Sequence, residues 1–185
     1  MNVMKFRILH YGLLDSTNNL ALILAKEGAS EGTVVCADYQ SKGRGRFDRK
    51  WVSPRRKNLL FSVILRPCVK VSRAPLLTIL AAQVLVDVLT RKFGLPAKIK
   101  RPNDVLVNQR KIAGILTESA ATSNSIDHVI LGVGLNVNSK KRELLKAATS
   151  IYEETKRISN REELLNSFLS EFEGRYRVWL TSAQG

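Results

Sequence analysis

The sequence predicts an α+β fold built on a mixed sheet, and three features of its order predict it. Strand-like runs follow one another through short turns, helical patterns are few, and the regular strand–helix–strand alternation of a Rossmann fold is missing. Lys5–Tyr11 reads as the first strand. Ser16 or Thr17 is placed to cap a helix from about Asn18 to Lys26, with Gly28 just beyond its end. The β-branched run Thr33–Tyr39 is the next strand, followed by a polar loop from Gln40 to about Lys57 and a strand over Leu59–Leu65. Pro75–Phe93 has the apolar density of a buried helix, stopped by Gly94 and Pro96. Ala97–Lys100, Val105–Val107 and Lys111–Glu118 are strands, the last two joined by a tight hairpin at Asn108–Arg110. His128–Asn136 is a near-continuous buried strand. Ser159 and Glu162 form a capping-box pattern before a last helix. Its stripe of Leu164, Leu165, Phe168, Leu169, Phe172, Tyr176 and Trp179 reads as core packing.

A length of 185 residues suits a single domain over 1–185, and 44% hydrophobic content is ordinary for a globular core. Cys36 and Cys68 lie far apart in apolar runs, fit no zinc spacing, and read as buried free thiols in a reducing compartment. The N-terminus lacks the apolar core and cleavage site of a signal peptide. No stretch is read as reaching the roughly 20 apolar residues of a membrane span, so a soluble cytoplasmic protein is expected. The net charge of +14 favours polyanions: nucleotide phosphates, nucleic acid or an acidic protein.

Where that charge lies is more telling. Residues 42–57 hold eight Lys or Arg against one acid, Asp48. Within this loop, Gly43 and Gly45 let the backbone approach a ligand, and their amides alternate with the guanidinium groups of Arg44 and Arg46. Trp51 offers a flat face to a purine or a cation. The loop is neither GxGxxG nor a P-loop, but it leaves a buried strand, which gives it a rigid base. A second group is Lys98-Ile-Lys-Arg-Pro-Asn103-Asp104, followed by Arg110-Lys111-Ile-Ala-Gly114-Ile115-Leu-Thr-Glu118. Here an amide could bond a base or ribose, a carboxylate could hold Mg²⁺, and a rim lysine suits a phosphoryl or carboxylate group. Taken alone, Asn-Asp after Pro reads better as a turn bonded to its own backbone, and Lys111 reads equally as an exposed edge lysine. The third group, Gly132-Val-Gly134-Leu-Asn136-Val-Asn138, puts glycines inside a strand, where a ligand or another backbone approaches closely.

With these motifs assembled, the sequence resembles the biotin protein ligase family in order from about Ser16 to Leu165. Ser16-Thr-Asn18, the Gly-Arg-Gly-Arg block, Arg-Pro-Asn-Asp, Lys111-Ile-Ala-Gly-Ile-Leu, Gly-Val-Gly-Leu-Asn-Val-Asn and Ala148-Thr-Ser150 carry it. The resemblance implies a class II synthetase-like domain with a largely antiparallel sheet and helices packed on one face. It also implies ATP-dependent formation of biotinyl-5′-AMP and transfer of biotin to a lysine of a biotin carboxyl carrier protein or domain. By that resemblance, biotin is held by Ser16, Thr17, Asn18, Gln40, Gly43, Arg44, Gly45, Arg46, Lys111, Gly114 and Ile115. ATP falls to Arg46, Trp51, Asn103, Lys111 and Asn136, and Mg²⁺ to Asp104. Arg44, Arg46 and Lys111 are the expected catalytic groups. No specific nucleic acid and no membrane are expected as partners, and a homodimer is left open.

Three features depart from the family pattern. Arg101 stands where the family carries tryptophan, and no N-terminal winged-helix segment is seen, so a repressor role is not expected. The sequence ends soon after the last helix without the family's small C-terminal β-barrel, which leaves catalytic efficiency open. Other readings are a lipoate-type protein ligase, a biotin-binding paralogue of weak activity, and a basic nucleic-acid module. The last explains the charge but not Asn103, Asp104 or Lys111.

Overall fold

The computed structural model describes residues 4–122 and 125–183. Its strands are β1 (Arg7–Tyr11), β2 (Thr33–Ala37), β3 (Leu59–Leu65), β4 (Ala97–Lys100), β5 (Asp104–Val107), β6 (Arg110–Thr122) and β7 (Ser125–Leu135). They form one sheet in the order β1-β2-β3-β7-β6-β5-β4, in which β1 and β2 are parallel and all other neighbours antiparallel. The helices are α1 (Thr17–Lys26), α2 (Ala74–Phe93), the single-turn α3 (Ile151–Thr155) and α4 (Arg161–Ala183).

Strand alternation divides the labour of the two faces. Val34, Cys36, Phe61, Val63, Val129 and Leu131 face α2 and α4 in the main core. Val35, Ile64 and Ile130 face the other way and pack against Ala21 and Ala25 of α1. The two long helices therefore share one face, whereas α1 lies on the opposite one, which corrects the expectation of helices on one face only. Small alanines on α1 let it sit close to the sheet.

The apolar stripe of α4 is core, as its period demands. Phe168 meets Phe61 edge-on at 5.1 Å, and Phe168, Phe172, Tyr176 and Trp179 stack in succession at 5.6–5.8 Å. The Tyr176 hydroxyl donates to Glu31 Oε1 at 2.7 Å, which satisfies the one polar atom on this buried ring. Gly94 ends α2 with φ 65°, a left-handed conformation that glycine adopts without penalty, and donates its N–H to Thr90 O at 2.9 Å. Asn108 and Gln109, both at positive φ, turn β5 into β6.

Several expectations need correction. The cap of α4 is Asn160 and not Ser159: Asn160 Oδ1 accepts the N–H of Glu162 at 2.9 Å and of Glu163 at 3.3 Å. The Ser159 N–H instead donates to Asn138 Oδ1. The β6–β7 hairpin runs further than the apolar pattern suggested, because Ser119–Thr122 pair with Ser125–Val129 through main-chain bonds that small side chains do not oppose. Cys68 is exposed; Cys36 is buried, and burial pushes its thiol up to about 11. Val71–Phe93 is, by length and composition, long and apolar enough to cross a membrane. In this fold its apolar residues, from Leu77 to Leu89, pack in the main core.

Asp38, 8% exposed, holds the start of α4 against the end of β2. Its carboxylate accepts from Arg161 at 2.9 Å and Arg56 at 3.2 Å, while Arg161 also donates to Asn58 O. Burial pushes the Asp38 carboxyl up, but the two arginines and His10 outweigh it and hold it below the usual range. A depressed carboxyl contributes stability above its unfolded pKa, and that stability is lost as pH falls through the folded value. The melting temperature is expected to drop on acidification below about pH 4. Asp38→Asn should melt lower than the natural protein at pH 7 and lose less on acidification, measured by circular dichroism. Parallel pH profiles for the two proteins would refute the clamp.

Candidate functional site

The site begins with missing side chains. Gly114 and Leu116 of β6 pair directly with Gly134 and Gly132 of β7, so that the α1-facing surface of the sheet is nearly bare there. A Cβ on Gly134 would run into the Trp51 indole, and one on Gly132 into the Asn18 amide. Trp51 therefore lies on the sheet over Gly114 and Gly134, and Asn18 reaches down over Gly132. Around this floor lies a cavity of about 570 Å³.

Helix α1 supplies one end. Ser16 occupies the cap position in extended backbone, φ −157° and ψ 137°, without using its side chain as a cap. The Thr17 N–H donates instead to Gln40 Oε1 at 2.6 Å, and the Thr17 hydroxyl lies 3.0 Å from the same oxygen. Ser62 of β3 stands beneath, with its hydroxyl 2.8 Å from Thr17 Oγ1 and 2.6 Å from Asn18 Oδ1. The Asn18 amide donates to Glu118 at 2.7 Å and to Leu116 O at 3.3 Å. The result is a fixed set of neutral donors and acceptors in a largely dry wall, since Ser16, Thr17 and Asn18 are all buried.

The loop after β2 forms the roof. Arg44 bridges Lys50, Gly45 N–H donates to Arg49 O at 2.7 Å, and Trp51 N–H donates to Gly43 O at 2.9 Å. This makes a short hairpin whose tip holds Phe47 and Asp48 at positive φ. Arg44 pairs with Glu118 at 2.7 Å and donates to Asn19 Oδ1 at 2.9 Å. Asn19 in turn donates to Asp15; that bond, against burial, holds the Asp15 carboxyl below its usual range, with help from the Ser16 N–H. Arg46 lies over the Phe47 ring at 4.9 Å.

The other end is cationic. Lys111 Nζ sits 2.7 Å from Asp104 Oδ1 and 5.5 Å from the Trp51 ring centre. Eight Lys or Arg line the cavity against two carboxylates, Asp104 and Glu143. Arg101 is among the eight, so the residue that departs from the family pattern adds a cation to the rim. Such an excess, held on fixed strands and a short hairpin, attracts multiply charged anions.

Ser16, Thr17, Asn18, Gln40, Arg44, Gly45, Arg46, Trp51, Asn103, Asp104, Lys111, Gly114, Ile115 and Asn136 all border this one cavity. Gly43 stands behind the wall, bonded to Trp51. Three of the bordering residues contribute less than their names suggest. Ile115 buries its side chain in the core on the opposite face, leaving its main chain at the cavity. The Asn103 amide donates to Ile115 O at 2.9 Å, and the Asn136 side chain bonds Thr149 O and Asn58. Among the described residues no three His, Cys, Asp or Glu cluster as a metal site. Sequence reasoning missed Ser62 and the far wall of Arg142, Leu144 and Leu145, and it gave Glu118, at the end of the second motif, no role. Ser62 could have been found as the lone polar residue in the run LLFSVIL.

Fold and cavity together define a class: an α+β domain with a glycine-floored pocket, rimmed by cations and roofed by a glycine-jointed hairpin. The chain belongs to the Biotin/lipoate A/B protein ligase family, whose sequence pattern matches residues 12–136. It is 38% identical over 183 residues to the bifunctional ligase/repressor BirA of Bacillus subtilis, covering 97% of this chain and 56% of that protein. It is 34% identical over 169 residues to the biotin–[acetyl-CoA-carboxylase] ligase of Mycobacterium tuberculosis, covering 89% of this chain and 62% of that one. The chain thus spans a little over half the length of these relatives. Among solved structures, the biotin protein ligase from Aquifex aeolicus in complex with biotin and ATP superposes with a TM-score of 0.81 at 30% identity, over 95% of this chain and 72% of that chain.

Gly134→Ala is expected to fold but to push the indole off the sheet, at a cost of about 1–3 kcal/mol for overpacking. Tryptophan emission and a denaturation midpoint would check it; Trp179, remote on α4, reports the unchanged remainder. Unaltered emission would remove Trp51 from the sheet floor.

Proposed function

We propose that the chain is the catalytic domain of an ATP-dependent biotin protein ligase. It would form biotinyl-5′-AMP and pass biotin to a lysine of a biotin carboxyl carrier protein or domain. One observation carries the reading: a single cavity joins a neutral hydrogen-bonding wall at Thr17, Asn18 and Gln40 to a cationic rim around Lys111. A ligand with a neutral polar head and an acidic tail suits such a cavity, and biotin is one. The Aquifex relative, whose structure holds biotin and ATP, supports it.

The chemistry asks for what this rim supplies. In the first step a carboxylate oxygen attacks the α-phosphorus of ATP and pyrophosphate leaves. Attacking and attacked groups are both anionic, so cations must sit on both before they approach. Lys111, on β6 beside Asp104, is set to neutralise the carboxylate and the α-phosphate as they join. Arg46, without an ion pair among the described residues, is free for the phosphates from the roof. Trp51 presents a ring face at the rim, suited to the adenine. Magnesium would enter on the nucleotide phosphates and add positive charge there, and Asp104, a carboxylate at the cavity, would help hold it. In the second step the carrier's lysine amine attacks the acyl carbon and AMP leaves. A hairpin roof that keeps water from the anhydride preserves it for that amine.

Incubation with biotin and Mg-ATP should release pyrophosphate, form biotinyl-AMP, and label a carrier domain; lipoate in place of biotin tests the family's other substrate class. Lys111→Ala should slow adenylate formation by about 10²–10³-fold, the usual loss on removing one electrostatic stabiliser. Undiminished pyrophosphate release by that variant would end the role given to Lys111. Absence of any adenylate with either acid would end the ligase reading.

A further inference from the structure

Glu118 does not border the cavity, yet two residues that do are fastened to it. Its carboxylate takes Arg44 through both oxygens, at 2.7 Å and 3.1 Å, and takes the Asn18 amide at 2.7 Å on the second oxygen. These residues come from three separate places in the chain: the roof hairpin, the first turn of α1 and the middle of β6. We propose that Glu118 is a positioning residue of the acid site, tethering Arg44 and Asn18 at its head-group end and taking Arg44 out of the phosphate-binding set. The proposal rests on the ligase reading above for the identity of the acid.

Strand geometry separates the two ends. Lys111 and Trp51 meet the sheet at Gly114, Asn18 stands over Gly132 beside Leu116, and Arg44 is held at Glu118. Along extended strand, Asn18 lies about 7 Å from the Gly114 level and the Glu118 anchor of Arg44 about 13 Å. Pairing further changes what Arg44 offers: a guanidinium held by a carboxylate is a neutral unit with spare N–H donors, not an uncompensated charge. Beside Asn18, Thr17 and Gln40, that unit completes a wall fit for an uncharged ring bearing both N–H and C=O groups. An unpaired arginine at the same place would draw an anion into the wrong end. Ser62, at 2.6 Å from Asn18 Oδ1, fixes the other side of the same amide, so that loss of Glu118 leaves Nδ2 with only its longer bond to Leu116 O, at 3.3 Å, while Oδ1 stays engaged.

The test compares Glu118→Gln, Arg44→Ala and the double variant with the natural protein, each checked for an unchanged melting profile. Titration calorimetry reads biotin and ATP separately, and limited trypsin digestion reads the roof hairpin in the ligand-free protein. Glu118→Gln is expected to weaken biotin by about tenfold, the scale of one charge-assisted hydrogen bond, and leave ATP within about twofold. Arg44→Ala should do the same, and the double variant should add little to either. Trypsin should cut the hairpin faster in Glu118→Gln. Full biotin affinity in Glu118→Gln, an equal loss of biotin and ATP, or additive single effects would each overturn the tether. If the natural protein binds ATP but no biotin, the substrate assignment falls while the digestion still decides whether Glu118 holds the roof: an unchanged cutting rate would refute it. Glu118→Asp, which keeps the charge on a shorter stem, should recover part of the biotin affinity that Glu118→Gln loses.

Discussion

Everything at this site depends on two neighbouring strands carrying no side chain on the same face at the same level. Gly114 opposes Gly134, and Gly132 opposes Leu116 two pairs further along, on the same face. Strands side by side in a sheet leave no other route to a depression in the middle of it, because alternate residues otherwise fill the space above. The floor is lined by main chain, and what stands on it comes from elsewhere: Trp51 from the roof and Asn18 from α1. A methyl group at Gly132 or Gly134 would not simply narrow the pocket; it would evict one of the groups that gives the pocket its chemistry.

That bareness is tolerable because the opposite face carries the core. Ile115 and Val133 alternate with the glycines and point into the layer packed under α2 and α4, where the aromatic ladder of α4 adds its area. Large-to-small loss on one face is thus offset by dense packing on the other, and the site can stay polar and open without weakening its own scaffold. The short α1, with alanines against Ile64 and Ile130, closes only the far end of the face. Its first turn is left at the cavity, where Thr17 donates its free N–H to Gln40.

Strand and helix positions were legible wherever the apolar pattern was strong. Leu59–Leu65 and Ala97–Lys100 match residue for residue, and the α2 stop at Gly94 follows from its left-handed turn. Pattern failed where main-chain pairing alone decides, as at the end of the β6–β7 hairpin, and where two capping residues stood side by side, at Ser159 and Asn160. It also could not say which face a helix takes, because α1 and α2 are both apolar enough to cover a sheet. Residues of the candidate site were legible as motifs, and the fold gathers them round one cavity. Their division of work was not legible. Asn136 and Asn103 look like ligand groups in a motif, but their amides are committed to Thr149, Asn58 and Ile115. Glu118 and Ser62 look like ordinary strand residues, and only long-range pairing reveals what they hold.

Charge placement decides which cations face the anions. A count of lysine and arginine around the loop suggests a uniformly positive roof, yet the ion pairs sort them. Arg44 is matched by Glu118, and Lys111 shares Asp104, while Arg46 and Arg101 meet no carboxylate among the described residues. In the proposed reaction two negative groups must be brought together, so an unmatched cation is worth more near the point of attack than at the head-group wall. Lys111 is a special case: its partner Asp104 keeps it in place at 2.7 Å before any anion arrives. A lysine so held can turn toward an incoming carboxylate with little reordering of its long stem, which lowers the entropy lost when the ligand is fixed. The arrangement puts free charge on the roof and at the rim, where Lys111 is restrained by Asp104, and neutralised charge at the head-group wall, a gradient that orients a ligand with one charged end.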